Sequence, residues 1–94
     1  MIHVSHTDHI AMAAPNLDDA VAMLSALFGF VEQNRWDAIR DGYHGATLRI
    51  PGTPGPAWEV LSPATEDSFL LRFLDGPSGP GLHHVTFELS LIHI

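Results

Sequence analysis

The chain has 94 residues, 46% hydrophobic and 16% charged, a composition that fits one small globular domain and excludes a disordered segment. Eleven acidic residues stand against four basic ones, Arg35, Arg40, Arg49 and Arg72, and the net charge of -7 excludes the basic face that nucleic acid requires. The absence of cysteine excludes disulfides and thiolate metal sites. The longest apolar run, Ile10 to Ala14, is too short to span a bilayer and follows no charged segment. No signal peptide, membrane helix or membrane partner is therefore expected, and the chain is expected in the cytoplasm.

Asp8 to Ala13 reads as a strand, with His9, Ala11 and Ala13 on one face and Asp8, Ile10 and Met12 on the other. Pro15 blocks its continuation, and Asn16 is a good N-cap. Leu17, Ala20, Val21, Leu24, Leu27 and Phe28 have the spacing of an amphipathic helix of about three turns. Asp18 and Asp19 suit its first turn and Gly29 its stop. Phe30 to Trp36 and Ala46 to Ile50 read as strands, the second with Thr47 and Arg49 opposite Ala46, Leu48 and Ile50.

Pro51 to Pro56 is a turn or loop, followed by a strand from Trp58 to Leu61 with Trp58 and Val60 opposite Glu59 and Leu61. Thr65 or Asp67 is expected to cap a short helix carrying Phe69, Leu70, Phe73 and Leu74. A second breaker-rich linker, Gly76 to Gly81, leads to a strand from Leu82 to Leu89. That strand places His84, Thr86 and Glu88 opposite His83, Val85, Phe87 and Leu89.

The order β-α-β-β-β, short helix, β predicts an α+β fold with helices on one face of a sheet. Ile10, Met12, Val60, Val85 and Phe87 are the large groups expected beneath those helices. His9, Ala11, Thr47, Arg49, Glu59, His84 and Thr86 take the other face, where polar groups among small ones suit a lined cavity.

Three separated motifs carry a resemblance. Asp8-His9-Ile10-Ala11-Met12-Ala13-Ala14-Pro15-Asn16-Leu17 resembles the opening strand of the vicinal-oxygen-chelate (VOC; glyoxalase/bleomycin resistance/dioxygenase) superfamily. Trp58-Glu59-Val60-Leu61-Ser62-Pro63, with Glu66-Asp67-Ser68 and Arg72-Phe73-Leu74, resembles its methylmalonyl-CoA epimerase branch. Gly81-Leu82-His83-His84-Val85-Thr86-Phe87-Glu88 resembles the start of a second module in that branch.

The resemblance implies a βαβββ glyoxalase-type module over residues 1–75, then a linker and the first strand of a second module over 76–94. It implies a divalent metal ion (Zn, Co, Mn, Ni or Fe) held by His9, Glu59 and His84, with a fourth ligand, usually a glutamate, on the last strand of the second module. Such a donor set leaves open positions for substrate oxygens. The function implied is a metal-dependent isomerase or lyase acting through a metal-chelated enolate, epimerase-like, with a small-molecule substrate of the acyl-CoA kind.

Thr47 and Arg49 are the candidate substrate contacts, and Glu88 shares the parity of His84. His83 is expected to pack on the opposite face, and His3, His6 and His93, near the termini, to have no role. The epimerases carry a glutamate base on the third strand, whereas Gly45 to Ile50 holds no carboxylate, so the catalytic residue is unassigned. Lactoylglutathione lyase, extradiol-type dioxygenase and a non-catalytic small-molecule binder are the alternatives. The chain also reads as C-terminally truncated, its last residues, Ser90 to Ile94, departing from the family pattern. An incomplete, inactive fragment and a homodimer formed through an unpaired strand are the corresponding expectations.

Overall fold

A computed structural model of the chain describes residues 2–52, 55–77 and 79–91, with side chains at all of these positions except 3, 6 and 88–91. The elements run β1 (Ile2–Ala13), α1 (Leu17–Phe28), β2 (Val31–Ala38), a single 3-10 turn (Ile39–Asp41), β3 (Tyr43–Arg49), β4 (Ala57–Pro63), α2 (Phe69–Leu74) and β5 (Gly81–Leu91). The strands form one mixed sheet in the order β2-β3-β4-β1-β5. β1 pairs parallel with β4, and the other neighbours are antiparallel. The α+β class is as expected, and β1 is six residues longer at its N-terminal end than its alternation suggested.

α1 spans the expected residues because both ends are chemically marked. The Asn16 side chain accepts from the Asp19 N–H at 2.9 Å, and Gly29, at φ 71°, donates its N–H to the Leu24 and Ser25 carbonyls. Ala20, Val21 and Leu24 bury against Ala46, Leu48 and Val60, flanked by Met12, Leu17, Phe30 and Trp58. Leu27 and Phe28, read as part of the apolar stripe, are exposed, because the last turn of α1 runs past this cluster.

The two helices do not share a face. Leu70 of α2 is fully buried with Ala11, Ala13 and Leu61, joined by Trp36, Tyr43, Phe73 and Leu74. Val60 and Leu61 are neighbours in β4 and face opposite ways, so α1 and α2 lie on opposite sides of the sheet. The reason is room: Ala11, Ala13 and Gly45 leave space for a second helix and for the Trp36 indole. The cap of α2 is Ser68, whose Oγ accepts from the Leu70 N–H at 3.3 Å, in place of Thr65 or Asp67. Val85 and Phe87 are exposed rather than covered, because α1 packs mainly over β2, β3 and β4.

β5 is held by β1 along its length, so the last strand has a partner within the sheet. Their ladder shifts register three times, twice beside the histidines discussed below.

Two substitutions test this packing. A Cβ on Gly45 would lie 2.3 Å from the Trp36 ring, so Gly45→Ala should displace the indole, shift its fluorescence and cost about 1–3 kcal/mol in urea unfolding. Leu48→Ala, at a fully buried position under α1, should cost about 2–5 kcal/mol by the same measurement.

Candidate metal centre

Three strands bring His9, Glu59 and His84 together. Ala11 of β1 is the register partner of both Glu59 in β4 and His84 in β5, and His9 lies two residues before Ala11 on the same face. The small Ala11 side chain leaves space between the flanking groups. His9 Nδ1 stands 3.5 Å from Glu59 Oε2, and His9 Nε2 stands 3.4 Å from His84 Nε2. The His9 and Glu59 side chains retain only 18% and 20% exposure, so neither is a freely solvated group.

The donor set suits a divalent ion. Two nitrogens each about 2.0–2.1 Å from a tetrahedral ion stand roughly 3.4 Å apart, which is the spacing of the two Nε2 atoms. Glu59 approaches His9 from its Nδ1 side, whereas His84 approaches from Nε2. In this conformation, therefore, no three donors among the described residues meet at one point.

Two further groups complete the surroundings of His9. Asp8 Oδ2 lies 2.8 Å from its Nδ1, and Thr86 Oγ1 lies 3.1 Å from its Nε2. Strand parity had put Asp8 on the opposite face, and a register shift in β1 overturns that. The same correction applies to His83. Its ring packs on Phe69 and Phe73 of α2, and its Nδ1 lies 2.9 Å from His84 Nδ1, so it shares the face of His84. It does pack, as expected, but on the site's side.

Burial, then the neighbouring His83 and His9 imidazoles, hold the His84 pKa below its ordinary value, while Glu59 draws it upward. A neutral imidazole with a free lone pair is the form that binds a metal.

Thr47 is half-buried and is the register partner of Glu59, on the site face. Arg49 is exposed at the end of β3. The side chains of His3, His6 and Glu88, and residue His93, lie outside what the structure describes. A cavity of about 420 Å³ opens elsewhere, between the start of α1 and strands β2 and β3, lined in part by Asp18, Arg35, Asp37 and His44. It includes none of the three candidate ligands. His44, to which the sequence assigned nothing, pairs there with Asp37 at 2.6 Å across β2 and β3.

The model of the Glyoxalase/Bleomycin resistance protein/Dioxygenase superfamily matches residues 8–93. The chain belongs to this superfamily. Within it, the mitochondrial methylmalonyl-CoA epimerase of Dictyostelium discoideum is 30% identical over 93 residues, covering 98% of this chain and 54% of the relative. The ethylmalonyl-CoA/methylmalonyl-CoA epimerase of Cereibacter sphaeroides is 28% identical over 87 residues, covering 93% of this chain and 63% of the relative.

Among solved structures, methylmalonyl-CoA epimerase from Mycobacterium tuberculosis superposes with a TM-score of 0.80 at 26% identity, over 89% of this chain and 55% of that one. A methylmalonyl-CoA epimerase in complex with methylmalonyl-CoA and NH4+ gives 0.79 at 30% identity, over 90% and 60%. The chain thus spans about half the length of the superfamily members it matches. Among the described residues no helix is long and apolar enough to cross a membrane.

The electrostatics predict an ordering that NMR reads directly. In a pH titration of the metal-free chain, the His84 ring resonances should move with a midpoint below 6.5, the usual imidazole value.

Proposed function

We propose that this chain supplies half of a metal-dependent epimerase site acting on an acyl-CoA thioester, with His9, Glu59 and His84 as metal ligands. The observation that carries the proposal is the placement of these three side chains from β1, β4 and β5 on one face, with the His9 and His84 Nε2 atoms 3.4 Å apart. The relatedness to methylmalonyl-CoA epimerases supports the substrate class. A bound divalent ion would act as a Lewis acid on substrate oxygens, making the proton next to the carbonyl easier to remove.

Within this reading the chain's own residues have distinct tasks. His9 and His84 present nitrogen donors, and Glu59 presents a carboxylate from the neighbouring strand. Thr47, beside Glu59, offers a hydroxyl to a substrate oxygen, and Arg49 offers a cation to a carboxylate or phosphate at the end of β3. The division into a module of residues 1–75 and a linker plus strand of 76–94 belongs to the same proposal, as does pairing of two copies along the β5 edge.

One observation favours a second reading, a module that binds a small molecule without chemistry. Gly45 lies beneath the Trp36 indole, so the middle of β3 offers neither a carboxylate nor space for one. A carboxylate base for proton transfer therefore has no source on that strand.

Metal binding and turnover separate the readings. In calorimetry with Zn, Co, Mn and Ni, the chain should bind at least one ion, and His84→Ala should abolish the binding while leaving the fold intact. The absence of binding to the unsubstituted chain would end the metal assignment. With cobalt and methylmalonyl-CoA in deuterated water, a protein joining this module to a complete second one should place deuterium at the α-carbon; binding of the thioester to it without exchange would establish the second reading instead.

A further inference from the structure

Adjacent residues of a regular strand point to opposite faces, so their side chains do not meet. Two adjacent pairs in this site do meet: Asp8 with His9, at 2.8 Å, and His83 with His84, at 2.9 Å. The β1–β5 ladder explains both. Its register steps from Thr7↔Phe87 to His9↔Thr86, leaving Asp8 as an extra residue in β1. It steps again from Ala11↔His84 to Met12↔Leu82, leaving His83 as an extra residue in β5. A bulge re-aims its extra residue, and here each bulge turns that residue toward the imidazole that follows it.

The contacts are specific to one ring nitrogen. Asp8 Oδ2 and His83 Nδ1 each approach the Nδ1 atom of the neighbouring histidine. An imidazole that offers its Nε2 lone pair to a cation carries its proton on Nδ1, and a fixed acceptor for that proton sets both tautomer and ring orientation. The Asp8 carboxylate is such an acceptor for His9. His83 Nδ1 would be such an acceptor for His84 with the His83 proton on its own Nε2. The His83 ring is itself held, 5.8 Å from Phe69 and 5.0 Å from Phe73 between ring centroids. The Thr86 hydroxyl, 3.1 Å from His9 Nε2, can donate to the lone pair this arrangement leaves there.

We propose that Asp8 and His83, the extra residues of two bulges in one strand pair, are positioning residues. They hold His9 and His84 with Nδ1 protonated and both Nε2 lone pairs turned to a common point. This rests on the metal reading above and adds to it a second layer of residues that strand parity does not place at the site.

The test is a cobalt(II) titration of the 94-residue chain, followed by calorimetry and visible absorption, with urea unfolding of each metal-free variant as control. His83→Phe keeps a ring against Phe69 and Phe73 but removes the acceptor. His83→Asn returns an amide oxygen near the lost Nδ1. His83→Phe should unfold at the same urea midpoint as the unsubstituted chain, bind cobalt at least about tenfold more weakly, and show an altered absorption band. His83→Asn should recover most of the affinity. Asp8→Ala and Asp8→Asn should behave as a parallel pair; because Asp8 is exposed, they carry the test if His83→Phe fails to fold.

Equal cobalt affinity in the unsubstituted chain and the alanine or phenylalanine variants overturns the inference and leaves the metal site standing. Failure of both conservative variants to recover affinity overturns it as well. Absence of cobalt binding to the unsubstituted chain removes the metal reading, and this inference with it.

Discussion

The register of β1 between its two neighbours is the constraint on which the site depends. β1 runs parallel to β4 on one side and antiparallel to β5 on the other, so a single strand sets where Glu59 and His84 lie relative to His9. The side-chain period of two makes this an all-or-none arrangement, since a one-residue slip turns every group to the other face. What prevents the slip lies mostly on the far side of the sheet. Met12 and Val60 are register partners and pack in the cluster with Ala46, Leu48 and the buried stripe of α1. Beyond the strand end, the Ala14 N–H donates to the Leu61 carbonyl at 2.9 Å. Burial on one face thus positions the candidate ligands on the other.

The site face is itself divided. Toward the Ala13 and Leu61 end it is dry, sealed by Leu70 of α2 and by the Trp36 indole lying over Gly45. Toward the Ala57 end it carries His9, Glu59 and Thr47. The boundary falls at Ala11, which is fully buried. The His84 pKa is lowered, by desolvation first and then by the neighbouring His83 and His9 imidazoles. His84 stands beside the imidazoles of His9 and His83, in a chain that belongs to the Glyoxalase/Bleomycin resistance protein/Dioxygenase superfamily.

The helix α1 was legible to the residue because its signals are local. Asn16, Asp18, Asp19 and Gly29 mark its ends independently of anything distant in the chain. The shared face of the candidate ligands was legible for a related reason. His9, Glu59 and His84 sit in short motifs whose alternation places them on one face, and the motifs resemble a known superfamily. The end of β1 beyond Asp8 was not legible, because Ile2 to Thr7 lacks clean alternation and becomes strand through pairing with β5.

From its own residues the chain determined α1, the class of fold and the face shared by His9, Glu59 and His84, since caps and alternation act between near neighbours. Tertiary structure alone decided the side of the sheet taken by α2, the exposure of Val85 and Phe87, and the aim of Asp8 and His83. The first two depend on which strands α1 is long enough to cover, and on the space left by Ala11, Ala13 and Gly45. The last depends on two register shifts between strands about seventy residues apart in the chain. A bulge is a mismatch between two partners, so neither strand shows it until the two are paired.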